Sequence, residues 1–150
     1  MKTDITLIRN IWIFTMLFIG SISDIREKTV SSGYLLIYAL GCVAVSVPGF
    51  DPHSFFPGLL PGLFLLLFSR LSSGAIGEGD AYAVGFIGMT LGLYAAASVL
   101  MLALLIISAY AVVMISLKKA GRRSRIALYP FLSLAFLLRL IIIISPQGGN

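Results

Sequence analysis

Cysteine, histidine and charge are all scarce in this 150-residue chain, and each scarcity removes a class of function. The single cysteine, Cys42, sits in an apolar run, which excludes a disulfide framework and a cysteine-based zinc site and leaves a small packing residue. The single histidine, His53, falls in a short connection between two apolar runs. Neither a catalytic nor a metal-binding role is expected there, and no metal or other cofactor is expected anywhere in the chain. Charged side chains make up 11% of the residues and hydrophobic ones 59%, with a mean hydropathy of +1.02. An average soluble domain carries roughly 25% charged residues, so the chain is read as a membrane protein whose first partner is the lipid bilayer. No polar stretch is long enough for a second soluble domain, and residues 1–150 are expected to form a single transmembrane domain. The formal net charge of +5 could suggest nucleic acid, but the basic residues occur in short clusters between apolar segments. They are better explained as topology signals, and no nucleic-acid partner is expected.

A helix needs about 20 apolar residues to cross the hydrocarbon core. Dividing the apolar runs by that length gives candidate spans at 6–23, 33–50, 54–71, 80–96, 97–117 and 126–145. The expected fold class is therefore all-α, a polytopic bundle of about six transmembrane helices. The run from Ile11 to Ile22, with the small residues of "GSIS", could pass for a signal peptide. Everything after it is also membrane-embedded, which favours a retained first span. Residues 81–117 contain no charged side chain; that run is too long for one span and suits two joined by a tight turn near "GLYAAAS". In "FPGLLPG", Pro57 and Pro61 are expected to begin or kink the third helix near the membrane surface.

Lysine and arginine placement sets the orientation. With six spans and the N-terminus outside, the inner loops hold Arg26, Lys28, Arg70, Lys118, Lys119, Arg122, Arg123 and Arg125, against Lys2 and Arg9 outside. Arg139 falls in the sixth span and would snorkel outward. The cluster "KKAGRRSR" reads as an anchor facing anionic lipid. Trp12 and Tyr94 are assigned to the outer aromatic belt and Tyr34 to the inner one.

The same topology sorts the six acids. Asp4 and Asp51 fall outside, and Glu27 and Glu78 in cytoplasmic loops. Asp24 ends the first span and Asp80 begins the fourth, both on the cytoplasmic side, where a bundle could hold them partly out of water. Two carboxyl groups brought within a few ångströms share a proton and titrate as a unit. One member is then a base and the other an acid, so the pair can activate water against a peptide carbonyl and return the proton to the leaving amine without a metal. In "GEGD", Gly77 and Gly79 flank this chemistry with bare backbone, letting an extended substrate approach. The residues alone leave a second explanation open. Asp24 could pair with Arg26, and Asp80 could simply favour a helix N-terminus.

Three stretches, in this order, resemble one family. "SDIREKTVSSGYL" is similar to the first catalytic aspartate, short basic stretch and second-span start of the type IV prepilin peptidases and related preflagellin peptidases. "GAIGEGDAYAVGFIGMTLG" is similar to their G-x-G-D segment, and "RIALYPFLSLAFLL" to their final helix, with Pro130 and Phe131 at its start. The resemblance covers the chain from about Ile11 to its end. It implies an intramembrane aspartyl endopeptidase using Asp24 and Asp80. Its substrates would be prepilin-like precursors with a basic leader and a hydrophobic helix, cut at the cytoplasmic face of the plasma (inner) membrane. Departures occur where the family has Ile-Pro-Asn, here Val30, Ser31 and Ser32, and where it has Val-Lys, here Ala81 and Tyr82. They bear on substrate preference and leave both aspartates in place. The larger members' cysteine-containing cytoplasmic region is missing, which implies peptidase without N-methyltransferase activity. The rival is a non-catalytic helical membrane protein, such as a small transporter subunit or pilus-assembly factor. It is disfavoured because transport usually places ionisable groups near mid-membrane. A presenilin-like protease is disfavoured because Asp24 follows Ser23 rather than a tyrosine. Gly88 and Gly92 form a G-x-x-x-G pair assigned to packing within the bundle.

Overall fold

A computed structural model describes residues 2–27, 32–71, 77–117 and 128–144. Among these residues every regular element is a helix: α1 (Lys2–Glu27), α2 (Ser32–Ser46), α3 (Pro52–Leu71), α4 (Glu78–Leu91), α5 (Leu93–Ser116) and α6 (Tyr129–Ile144). The chain is thus an all-α membrane protein with the six helices its apolar runs predict. Their lengths divide into two groups. At about 1.5 Å per residue, α1, α3 and α5, with 26, 20 and 24 residues, reach or exceed the ~30 Å of a hydrocarbon core. These three are long and apolar enough to cross a membrane. With 15, 14 and 16 residues, α2, α4 and α6 fall short of that thickness as straight rods.

Local chemistry explains two of the boundaries. The third helix starts at Pro52, two residues before the expected boundary, because Asp51 caps it. One carboxylate oxygen accepts the His53 backbone N–H at 3.1 Å and the other accepts the Ser54 hydroxyl at 2.8 Å. Pro52, at the first helical position, has no N–H to leave unsatisfied. These hydrogen bonds, Ser54's first, hold the Asp51 carboxyl below its usual range. The break between α4 and α5 lies at Gly92, the first residue of "GLYAAAS", with φ 90° and ψ 171°. Only glycine takes that backbone without strain, and α4 is therefore shorter than the expected 80–96 segment.

Packing differs from a soluble core because lipid tails are as apolar as leucine, so close van der Waals fit rather than water exclusion holds such helices together. Apolar residues accordingly lie on both sides of each helix. Ile13, Met16 and Leu17 of α1, Cys42 of α2, Val84 and Ile87 of α4, Val99 of α5, and Leu132 and Phe136 of α6 are fully buried together. Leu36, Ile37 and Leu40 of α2, Leu63, Phe64 and Leu67 of α3, and Met101 and Leu105 of α5 are exposed. Three hydroxyls within the helices are satisfied locally: Thr15, Ser46 and Ser98 donate to the carbonyls of Ile11, Cys42 and Ala95 at 2.8, 2.6 and 2.9 Å.

The closest helix pair is α3 with α4, running antiparallel. A Cβ at Gly62 would lie 2.5 Å from Gly85 Cα and 3.0 Å from the Ala81 carbonyl oxygen. Gly58 and Gly88 likewise face each other backbone to backbone, each leaving no room for a side chain on the other. This corrects two expectations. Pro57 and Pro61 do not begin α3; they lie inside it, beside the two glycines that contact α4. Gly88 packs within the bundle as expected, but its partner is Gly58, whereas Gly92 ends the helix. Trp12, assigned from sequence to the outer aromatic belt, packs between two helices. Its indole lies over Gly41, and its ring pairs with Tyr38 at 5.5 Å, joining α1 to α2. Tyr94 is 90% exposed.

Candidate active site

Asp80 stands in the first turn of α4, its backbone N–H bonded to the Gly77 carbonyl at 3.1 Å. Gly77 is the residue before the helix, extended at φ −65° and ψ 134°, and no side chain caps this end. Asp80 is only 9% exposed although it carries a carboxyl group. A buried charged group requires favourable partners, and the positive end of α4 is one that the geometry supplies. Gly77 contributes through what it lacks. A Cβ there would come within 3.0 Å of Asp80 Oδ2 and 3.6 Å of its Cγ, so the missing side chain leaves room for the carboxylate to lie against the cap. The Gly77 backbone is itself exposed.

Asp24 lies in the last turns of α1, which ends at Glu27; its carboxyl group is outside the described side chains. Its register is nevertheless informative. Ile13, Met16, Leu17 and Gly20 form the buried face of α1, and Asp24 follows Gly20 by one turn in the same row. Tyr129 is what brings this face to Asp80. Only 1% exposed, it opens α6 and donates its hydroxyl to the Gly79 carbonyl at 3.2 Å. On its other side the ring presses on α1. A Cβ at Gly20 would be 2.5 Å from Tyr129 Cε1 and 2.7 Å from Cδ1. The peptide before Asp80 and the turn before Asp24 therefore meet the same aromatic side chain. Tyr34 of α2 joins them, its hydroxyl donating to the Met16 carbonyl and lying 3.0 Å from the position a Gly20 Cβ would take.

Glu78, expected as a solvated loop acid, is the first residue of α4, and its Oε1 lies 3.8 Å from Arg70 Nε at the end of α3. Both side chains are mostly exposed, so the pair is worth at most about 1 kcal/mol. Of the residues proposed from sequence, Gly77, Gly79 and Asp80 are contiguous in one cap. Val30 and the basic run 118–125 lie outside the described residues. Tyr129, Gly20, Gly58 and Gly62 were missed. The last two stand in a legible G-x-x-x-G spacing within "FPGLLPG". Tyr129 offered only the rule that a hydroxyl inside a bundle must find an acceptor.

A cavity of about 200 Å³ lies elsewhere, among Arg9, Ser46, Asp51, Ser54, Thr90 and Gly92. Thr90 is ten residues along α4 from Asp80, about 15 Å at helical rise, so this cavity belongs to the opposite end of the bundle. Arg9 is used structurally there. Its guanidinium donates to the carbonyls of Val45, Ser46 and Pro48 at 3.2, 3.1 and 2.7 Å, closing the C-terminal end of α2. His53 stands in the first turn of α3, at the same end as this cavity.

Comparison with known proteins gives one match. The model of the type IV leader peptidase family matches residues 11–112, which include α2, α3, α4, both aspartates and the whole G-x-G-D segment. No curated protein and no solved structure matches the chain.

Proposed function

The chain belongs to the type IV leader peptidase family, and on that premise we propose that it is a membrane-embedded aspartyl endopeptidase whose catalytic pair is Asp24 and Asp80. The observation that carries this reading is the pairing of a buried carboxyl at the start of α4 with the α1 register of Asp24, across a single side chain, Tyr129.

The chemistry follows from one shared proton. The ionised aspartate takes a proton from a water molecule as its oxygen attacks the scissile carbonyl carbon. The protonated aspartate hydrogen-bonds to the carbonyl oxygen and supports the charge that develops there. Collapse of the tetrahedral intermediate breaks the C–N bond, and the leaving nitrogen receives the proton acquired from water. Gly77 and Gly79 keep the approach to Asp80 free of side chains, so that an extended peptide can lie across the α4 cap.

The substrates are prepilin-like precursors with a basic leader and a hydrophobic helix. The excess of basic residues in the loops next to Asp24 and Asp80 supports a six-span topology with the N-terminus outside and both aspartates at the cytoplasmic face of the plasma (inner) membrane, where such a leader waits. Residues 1–150 act as one peptidase domain, serving type IV pilus assembly or protein secretion, without N-methyltransferase activity.

Co-expression with a prepilin-like substrate tests the reading. The wild type is expected to remove the leader, leaving an unmethylated N-terminus by mass spectrometry. Asp24→Asn and Asp80→Asn are each expected to lower cleavage at least ~100-fold, the scale of a lost acid or base. Retained cleavage in both variants would sink the dyad.

A further inference from the structure

We propose that Tyr129 is a positioning residue for this site: it sets the spacing between the turn of α1 that precedes Asp24 and the cap of α4 that presents Asp80. The inference rests on the reading of Asp24 and Asp80 as the catalytic pair, and it concerns how the two are held in register.

Three observations carry it. First, Tyr129 is 1% exposed, so it acts through the backbone it touches rather than on a substrate. Its hydroxyl donates to the carbonyl of Gly79, the residue bonded to Asp80, at 3.2 Å. Moving that carbonyl moves the Asp80 backbone with it. Second, the ring has no slack on its α1 side. Cε1 and Cδ1 stand where a Gly20 side chain would be, at 2.5 and 2.7 Å from its Cβ position, so the ring rests directly on the α1 backbone. Asp24 is one turn further along that face. Third, the notch at Gly20 is shared. The Tyr34 hydroxyl borders it and donates to the Met16 carbonyl, which fixes α1 against α2 at the level where Tyr129 bears on it.

A tyrosine suits this task physically. The ring is a rigid spacer with two torsions, and the hydroxyl at its tip fixes which acceptor it faces. The bond is partly buried, which limits competition from water. Small errors in such spacing weigh heavily on rate, because a general base works only within hydrogen-bond reach of its proton.

Tyr129→Phe is the informative change, since it keeps the ring on Gly20 and removes the hydroxyl that bonds to Gly79. In purified protein cleaving a prepilin-like substrate, kcat is expected to fall about tenfold, the size of one lost hydrogen bond. KM and the thermal midpoint should stay near wild type. A second measurement does not depend on activity. With Cys42→Ser, Asp24→Cys and Asp80→Cys, a short bifunctional thiol reagent should join positions 24 and 80, and adding Tyr129→Phe should lower the yield severalfold. Gly20→Ala, which displaces the ring instead of removing the hydroxyl, should give the same loss in both measurements. An unchanged cross-linking yield overturns the proposal, as does an unchanged kcat or an effect confined to KM or to the thermal midpoint. If the wild type cleaves no substrate, the assignment as a peptidase fails, while the cross-linking arm still decides the positioning role.

Discussion

Asp51 and Asp80 show how position turns one residue type to two purposes. Asp51 is fully exposed and spends both carboxylate oxygens on the start of α3, accepting from His53 and Ser54. Asp80 is buried at the start of α4, with no side chain capping that helix. The first is a capping residue, expected from sequence only to fall outside the spans, and the second opens α4, where the sequence places the start of the fourth span. The cap at Asp51 was legible in "DPHS", because an aspartate before a proline is a helix start with a mechanism. Its pH dependence has a definite sign. The hydrogen bonds favour the ionised form and hold its pKa below the ordinary aspartate value. The stabilisation is therefore present above the unfolded-state value and is lost as pH falls through the lower folded-state value. Asp51→Ala should lower the thermal midpoint at neutral pH, and its gap from wild type should shrink as the pH is taken below the ordinary aspartate range. A gap independent of pH would show that the carboxylate does not cap α3.

Among elements, the α3–α4 pair makes the closest approach in the bundle, and it is built from what its residues lack. Gly58 and Gly62 of α3 meet Gly88 and Gly85 of α4 without intervening side chains. Backbone cannot move aside as a flexible side chain would, so an added methyl group must part the helices. Gly62→Ala should cost about 1–3 kcal/mol, the usual range for overpacking. Leu63→Ala, one residue away and 59% exposed, should cost much less. Thermal unfolding of the two variants in the same detergent compares them directly; equal losses would remove the close contact as an explanation. The spacing of these glycines was visible in the sequence, but which glycine faces which was not. Gly88 and Gly92 have the right interval, yet the positive φ at Gly92 takes it out of the helix and gives Gly88 a partner thirty residues earlier. Pro57 and Pro61 misled for a related reason. Each removes one N–H from the ladder, but in a bundle neighbouring groups and local adjustment let a helix continue through them.

At the scale of the whole molecule, apolar side chains cover the outside as well as the core, which is the arrangement a lipid solvent permits. Orientation then depends on where the basic residues lie. In a Cys42→Ser background, His53→Cys should react with a membrane-impermeant maleimide in intact cells, and Arg70→Cys only after lysis. The reverse pattern would invert the topology and move both aspartates to the other face. Composition and hydropathy by themselves determined an all-α membrane protein of six helices, because the transfer of each segment into lipid is a local property that neighbouring residues decide. The acids at the helix ends were legible for the same reason, since a carboxylate interrupting an apolar run is visible without any fold. Only the tertiary structure decided that Gly58 and Gly62 seat α4 and that Tyr129 spans from Gly20 to Gly79. Those contacts join residues tens to more than a hundred positions apart. They depend on the shapes of two surfaces together, a quantity that no single segment of the chain contains.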